Sequence, residues 1–297
     1  MGTGQGGTVP ASPPLPPGRH LELPRRGTTF VRELAGPPGA PAVLLLHGWT
    51  ATADLNWFPS YGPLARRFRV VAMDHRGHGR GIRTSRRFRL EDCADDAAAV
   101  VEALRLRPVI AVGYSMGGPV AQLLWHRHPH LVGGLVLCAT SRNFSGDPRE
   151  RAWFSLLPGV ALAARVAPAP VRARVADRVL SNRLDGSPLS EWAVGELRRN
   201  DPVALAHAGH AIGRFSSKAW IGEVDVPTAV VVTEDDSVVP PHRQRRLAEA
   251  IPGAQVFPVR GDHGVCVAAP HRFVPVLVRA CSTVAARGSA ATVTPRG

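Results

Sequence analysis

Short apolar runs with no polar alternation constrain this chain more than any other feature. Residues 43–46 read VLLL and residues 230–233 read VVVT. A strand built from either has no wet face, so both of its sides must be covered. Parallel sheets flanked by crossover helices provide that cover. The two runs belong to a series of seven short β-branched or leucine-rich runs, at 28–34, 42–48, 68–74, 109–115, 134–140, 228–234 and 254–260. Amphipathic helical patterns separate them. In the pattern at 89–105, Leu90, Cys93, Ala94, Ala97, Val101 and Leu104 recur at three- and four-residue spacing, which predicts one buried stripe. The carboxylates of that stretch read as a solvated face. Helices are also predicted from Met116 to Arg127, after Pro241, and from Pro270 to Ala280. The pattern is that of an α/β protein with a doubly wound, mostly parallel sheet.

One region breaks the alternation. Between the run ending near Ala139 and the one starting at Thr228, no strand pattern appears, and a structureless loop of that length does not suit a compact domain. Residues 143–220 are therefore expected to form an inserted helical cap, with residues 20–142 and 221–283 as the core. The Gly- and Pro-rich residues 1–19 and the loose residues 284–297 are expected to be disordered tails. The N-terminal stretch lacks the basic start and apolar stretch of a signal peptide.

Composition removes several classes of function. No apolar run reaches the eighteen or so residues of a membrane span. Cys93, Cys138, Cys266 and Cys281 form no Cys-x-x-Cys pair, so reduced thiols in a cytoplasmic protein are expected, with no metal. The net charge of +13 comes almost wholly from arginine, since Lys218 is the sole lysine. Arginines concentrate between His75 and Arg89 without interleaved aromatics or a nucleic-acid motif, so this stretch reads as a solvated loop and nucleic acid is not an expected partner. An acidic ligand remains an alternative.

Chemistry points to IAVGYSMGG, residues 110–118. Ser115 sits between Gly113 and Gly117 where a strand run gives way to a helix. A sharp turn there projects the hydroxyl, and the flanking glycines let strand and helix approach closely. Such a serine needs a histidine base, itself oriented by a carboxylate. In a doubly wound sheet the expected chain order is Ser, then Asp or Glu, then His. Glu234, Asp235 and Asp236 follow a late strand run, and Asp236 is favoured over Asp235 by its distance from the next helix. His263 follows the last run and is singled out by its place in that order. Asp262 beside it reads as a turn residue.

Together these residues resemble the α/β-hydrolase superfamily across Thr29 to Ala280. The stretch VLLLHGW is similar to the strand and His-Gly turn before that family's oxyanion loop. MDHRGHGRG is similar to its Asp-x-Arg-Gly-x-Gly turn, with Gly81 where a serine is common. The resemblance implies about eight strands, a helical cap over their carboxyl edge, no cofactor, and an oxyanion hole from the backbone amides of Trp49 and Met116. It also implies a structural role for His47, and turn-fixing roles for Asp74 and Arg76. Members that open halides or epoxides carry aspartate where Ser115 stands. The implied reaction is hydrolysis of a carboxylic ester or related acyl compound through an acyl-enzyme, with an apolar small-molecule substrate. Trp49, Trp57, Phe58 and Tyr114 are candidates for its pocket or for plain core. Alternatives are an acyltransferase or cofactor-free perhydrolase using the same residues, or a non-catalytic ligand-binding module.

Overall fold

The computed structural model describes residues 12–106, 108–166 and 188–293. Eight strands form one sheet: β1 (Gly18–Leu23), β2 (Gly27–Leu34), β3 (Ala42–Leu46), β4 (Arg69–Met73), β5 (Val109–Tyr114), β6 (Val132–Cys138), β7 (Thr228–Thr233) and β8 (Gln255–Val259). Their spatial order is β1-β2-β4-β3-β5-β6-β7-β8. The first two strands form an antiparallel hairpin, β2 lies antiparallel to β4, and every later pairing is parallel.

The helices are α1 (Ala53–Trp57), α2 (Tyr61–Ala65), α3 (Leu90–Ala103), α4 (Gly117–Arg127), α5 (Pro148–Val166), α6 (Pro188–Arg198), α7 (Pro202–Arg214), α8 (Pro241–Ala250), α9 (Val265–Ala268) and α10 (Pro270–Val293). Alternate residues of β3 serve opposite helix layers, which explains its unbroken apolar run. Leu44 and Leu46 belong to the core that includes Cys93 and Ala97 of α3 and Leu124 of α4. Val43 and Leu45 belong to the core that includes Trp57, Leu64, Phe273 and Leu277. β3 is thus dry on both faces.

Three expectations need correction. Gly18 and Arg19, assigned to a disordered tail, begin β1 and pair with Arg32 and Val31. That strand is a mostly exposed edge, so its sequence carries little apolar signal and only pairing with β2 defines it. At the other end, α10 continues to Val293, and Val284, assigned to the second tail, is buried in the core. Nor is the carboxylate face of α3 uniformly solvated. Asp96 is buried and takes hydrogen bonds from Arg26 and from Arg76.

The insertion between β6 and β7 holds α5, α6 and α7; residues 167–187 of the expected cap lie outside the described residues. Residues 196–201 fasten it to the loops after β3 and β4. Thr52 Oγ1 donates to Glu196 at 2.9 Å, Asn200 Nδ2 donates to the Thr50 carbonyl at 2.7 Å, and the Asp201 amide donates to the Gly77 carbonyl at 3.0 Å. Asp201 then caps α7, accepting from the amides of Val203 and Ala204, while Pro202 supplies a preset first turn.

Candidate active site

Ser115 lies at the carboxyl end of the central strand β5, on a turn that its neighbours make possible. Its backbone adopts φ +50°, a left-handed conformation that costs a non-glycine residue on the order of 1 kcal/mol. Three hydrogen bonds hold it there: the Ser115 amide to the Cys138 carbonyl, and the Ser115 carbonyl from the Gly118 amide and the Thr140 hydroxyl, at 2.9, 2.9 and 2.8 Å. The two flanking glycines answer to close approach. A Cβ on Gly113 would meet the Gly117 carbonyl oxygen, and one on Gly117 would meet that of Leu46.

Ser115 Oγ stands 2.9 Å from His263 Nε2, and His263 Nδ1 stands 2.8 Å from Asp236 Oδ2. The three side chains come from loops after β5, β7 and β8, brought to one place by parallel strands that end at a common edge. Asp236 is buried and strongly held. Its Oδ1 accepts from the amides of Val238 and Val239, each at 2.9 Å, and its Oδ2 accepts from the Thr233 hydroxyl at 2.7 Å. Burial pushes its pKa up, but the His263 hydrogen bond and charge, with the Val239 amide and Thr233 hydroxyl, outweigh burial and hold it below the usual carboxylate value. Asp236 is therefore a stable anion facing the imidazole. Asp235 is exposed, and Asp262 accepts from the Gly264 amide as a turn residue.

Sequence reasoning missed Gln244 and gave Tyr114 only as a pocket or core candidate, yet both support this constellation. Gln244, fully buried on α8, donates to the Thr233 hydroxyl at 2.7 Å and to the Val239 carbonyl at 2.7 Å, and accepts from the Thr233 amide at 3.0 Å. Tyr114 donates its hydroxyl to the His263 carbonyl at 2.8 Å. Neither carries a distinguishing pattern: Gln244 sits among arginines that look like a wet helix face, and Tyr114 looks like core. Tyr114 is in fact packed edge-on against Trp57 and Phe273.

Met116 begins the turn into α4 and its side chain is buried. Gly48 approaches Ser115 closely enough for an added Cβ to lie 3.3 Å from the serine Cβ, which brings the loop carrying Trp49 beside the hydroxyl. The Trp49 indole donates to the Leu205 carbonyl of α7 at 2.9 Å and meets Trp153 of α5 edge-on. Phe58 packs edge-on against Trp192 of α6. Trp57 is core, whereas Trp49 and Phe58 join core to cap.

His47 is buried, its Nδ1 bonded to the Gly48 carbonyl and its Nε2 to the His75 amide, at 2.8 and 3.0 Å. Burial lowers its pKa to about 4, so it is a neutral strut at pH 7. Asp74 accepts from the amides of Ala53 and Arg80 and so ties two loops together. The glycine at position 81 has a steric cause, because a Cβ there would strike the His75 carbonyl. Part of the arginine-rich stretch is buried structure: Arg76 pairs with Asp96, and Arg80 with Asp54 and Asp74.

All four cysteines are buried and free. Among the described residues no cluster of three or more His, Cys, Asp or Glu is arranged to hold a metal ion, and no helix is long and apolar enough to cross a membrane.

A proposed carbamate hydrolase, RutD, from Agrobacterium fabrum is 30% identical over 79% of this chain and 90% of its own length. A non-heme chloroperoxidase from Streptomyces lividans is 29% identical over 85% of this chain and 95% of its own. A hydrolase from Pseudomonas aeruginosa PA01 superposes with a TM-score of 0.75 at 23% identity, covering 88% of this chain and 97% of that one. The family model described as the alpha/beta hydrolase fold matches residues 41–269, and the chain belongs to that family.

Proposed function

We propose that the protein is a serine hydrolase that cleaves a carboxylic ester or related acyl compound, with Ser115 as nucleophile. The observation that carries this reading is the unbroken path from Ser115 Oγ through both nitrogens of His263 to a carboxylate held ionised. With its Nδ1–H donated to Asp236, the imidazole presents a lone pair at Nε2 to the serine hydroxyl.

The serine oxygen attacks the acyl carbonyl while His263 takes its proton. The carbonyl oxygen becomes an oxyanion facing the amides of Trp49 and Met116. Losing one such donor typically costs about 3 kcal/mol of transition-state stabilisation. His263 then protonates the leaving alcohol. Water, deprotonated by the same imidazole, releases the acid and restores the serine. Asp236 orients the ring and stabilises its charged form. No step calls for a cofactor. Trp49, Phe58, Trp153 and Trp192 between core and cap favour an apolar acyl group, and the buried thiols suit a reducing cytoplasm.

The full chain is expected to be labelled by a fluorophosphonate probe and, unlabelled, to hydrolyse p-nitrophenyl esters, whereas Ser115→Ala takes no label and loses roughly 10³- to 10⁶-fold in kcat. Equal labelling of the variant refutes the assignment. The similarity to a chloroperoxidase favours a second acceptor for the same acyl-enzyme: hydrogen peroxide, giving a peracid. Product analysis with water and peroxide in competition separates the two.

A further inference from the structure

Away from the Ser115 hydroxyl, the turn between β1 and β2 and the loop after β4 enclose a cleft of about 280 Å³ lined by Arg25, Arg26, Arg76, Arg83, Thr84, Arg86 and Asp92. Five guanidinium groups face one space that a single carboxylate shares. Two of them are paired with carboxylates: Arg26 binds Asp96 at 2.6 Å, and Arg76 binds Asp96 at 2.7 Å and the cleft's own Asp92 at 3.5 Å. The other three are not. Arg83 donates to the carbonyls of Gly79 and Arg199, which are uncharged. Arg25 and Arg86 have no carboxylate partner among the described residues, and Arg25 is held at φ +62° on its turn. Thr84 Oγ1 accepts from the Arg86 amide at 3.1 Å, leaving its hydroxyl proton free to donate.

Three uncompensated positive charges in one cleft repel one another within the screening length of about 8 Å at physiological salt. A ligand with two or more negative charges removes that cost. Planar guanidinium forks match the oxygen geometry of phosphate. We infer that this cleft binds a small, multiply charged oxyanion of the phosphate class. Its volume suits one or two phosphate groups, about nine waters at roughly 30 Å³ each; a duplex needs a groove that tracks many phosphates. The β1–β2 turn lies at the same sheet edge as Ser115, about 15 Å away by strand spacing, so the site is separate from the acyl chemistry and does not rest on it.

The test is calorimetric titration of the full chain with inorganic pyrophosphate. Saturable one-to-one binding is expected, weakened about tenfold or more in Arg25→Gln/Arg86→Gln, as two charge-assisted hydrogen bonds are lost. Arg66→Gln/Arg67→Gln, exposed at the opposite sheet edge, is expected to bind normally. Should the paired cleft variant fold poorly, Arg86→Glu alone on its exposed loop must weaken binding in the same direction. Non-saturating heats, or equal loss in the Arg66/Arg67 control, overturn the inference. So does a short DNA duplex that binds through Arg25 and Arg86 and is not displaced by pyrophosphate, which would make the surface a nucleic-acid face.

Discussion

Two buried carboxylate networks stand at the same edge of the sheet, and they face opposite kinds of cation. Below β7, Asp236 meets an imidazole that can take and release a proton. Beside β4, Asp54 is bonded by Arg32, Arg80 and Tyr61, and Asp74 by Arg80. Arginine keeps its proton at any ordinary pH. Burial raises the Asp54 pKa, but the hydrogen bonds and charges of Arg32 and Arg80 outweigh it and hold the group ionised. Asp54 and its arginines can therefore lock loops but offer no proton to exchange. Glu196 of the cap joins this second network through Arg80 at 3.2 Å, so its effect is to seat the insertion on the core. A buried aspartate is therefore no indicator of chemistry by itself; its partner decides.

This contrast is open to direct attack. The largest expected effect is that of Asp236→Asn, which keeps the side-chain shape and an acceptor for the Val238 and Val239 amides while losing the charge that favours the productive imidazole tautomer. Under the proposed function kcat falls about 10³- to 10⁴-fold, with little change in thermal midpoint. An unchanged kcat would put Asp236 on the structural side of the comparison.

Next comes Asp54→Ala, which leaves the buried Arg32 guanidinium without its carboxylate and removes one of the three that hold Arg80. Breaking a buried pair from one side costs about 3–5 kcal/mol, which for a chain of this size lowers Tm by roughly 6–15 °C. Ester turnover per folded molecule is expected to persist. A variant that melts normally but loses turnover would reverse the assignment of the two networks.

The smallest effect is a pH dependence of stability from histidines that do not titrate with the site. His47, His75 and His78 are buried with ring centroids 4.3 and 5.3 Å apart along His75–His47–His78. Burial lowers His47 to about 4, His78 to about 3, and His75 well below its usual value. The unfolded chain binds protons near pH 6.5 while the folded chain does not, so their contribution is fully present above that pH and is lost as pH falls toward 4. Between pH 7 and 5.5 the loss is about 1 kcal/mol per histidine. Thermal melts across that interval measure it, and a flat midpoint would mean that the cluster is charged or hydrated in the native state.

Legibility from sequence followed the same division. Seven of eight strands are legible as β-branched or leucine-rich runs, and β3, β5 and β7 are buried at every position; β1, an exposed edge, had no such requirement. Ser115, Asp236 and His263 could be proposed because strand ends and chain order dictate where such residues stand. Gln244 and Tyr114 could not, since their roles depend on which loop lies over which helix. The arginine-rich stretch reads as a solvated loop with only Arg76 given a turn-fixing role, yet Arg76 and Arg80 both turn inward onto carboxylates. Nothing local distinguishes them from Arg86 or Arg87.

From the chain alone came the doubly wound sheet, the place of the insertion and the order of the candidate triad. Dry strands and tight turns require particular residues whatever surrounds them. The meeting of Ser115, His263 and Asp236 within hydrogen-bond distance, the locking of Asp54 by arginines, and the gathering of five guanidinium groups in one cleft were decided by tertiary structure. Those contacts join segments far apart in sequence, and a charge or a proton responds to distance and burial, which no local pattern encodes.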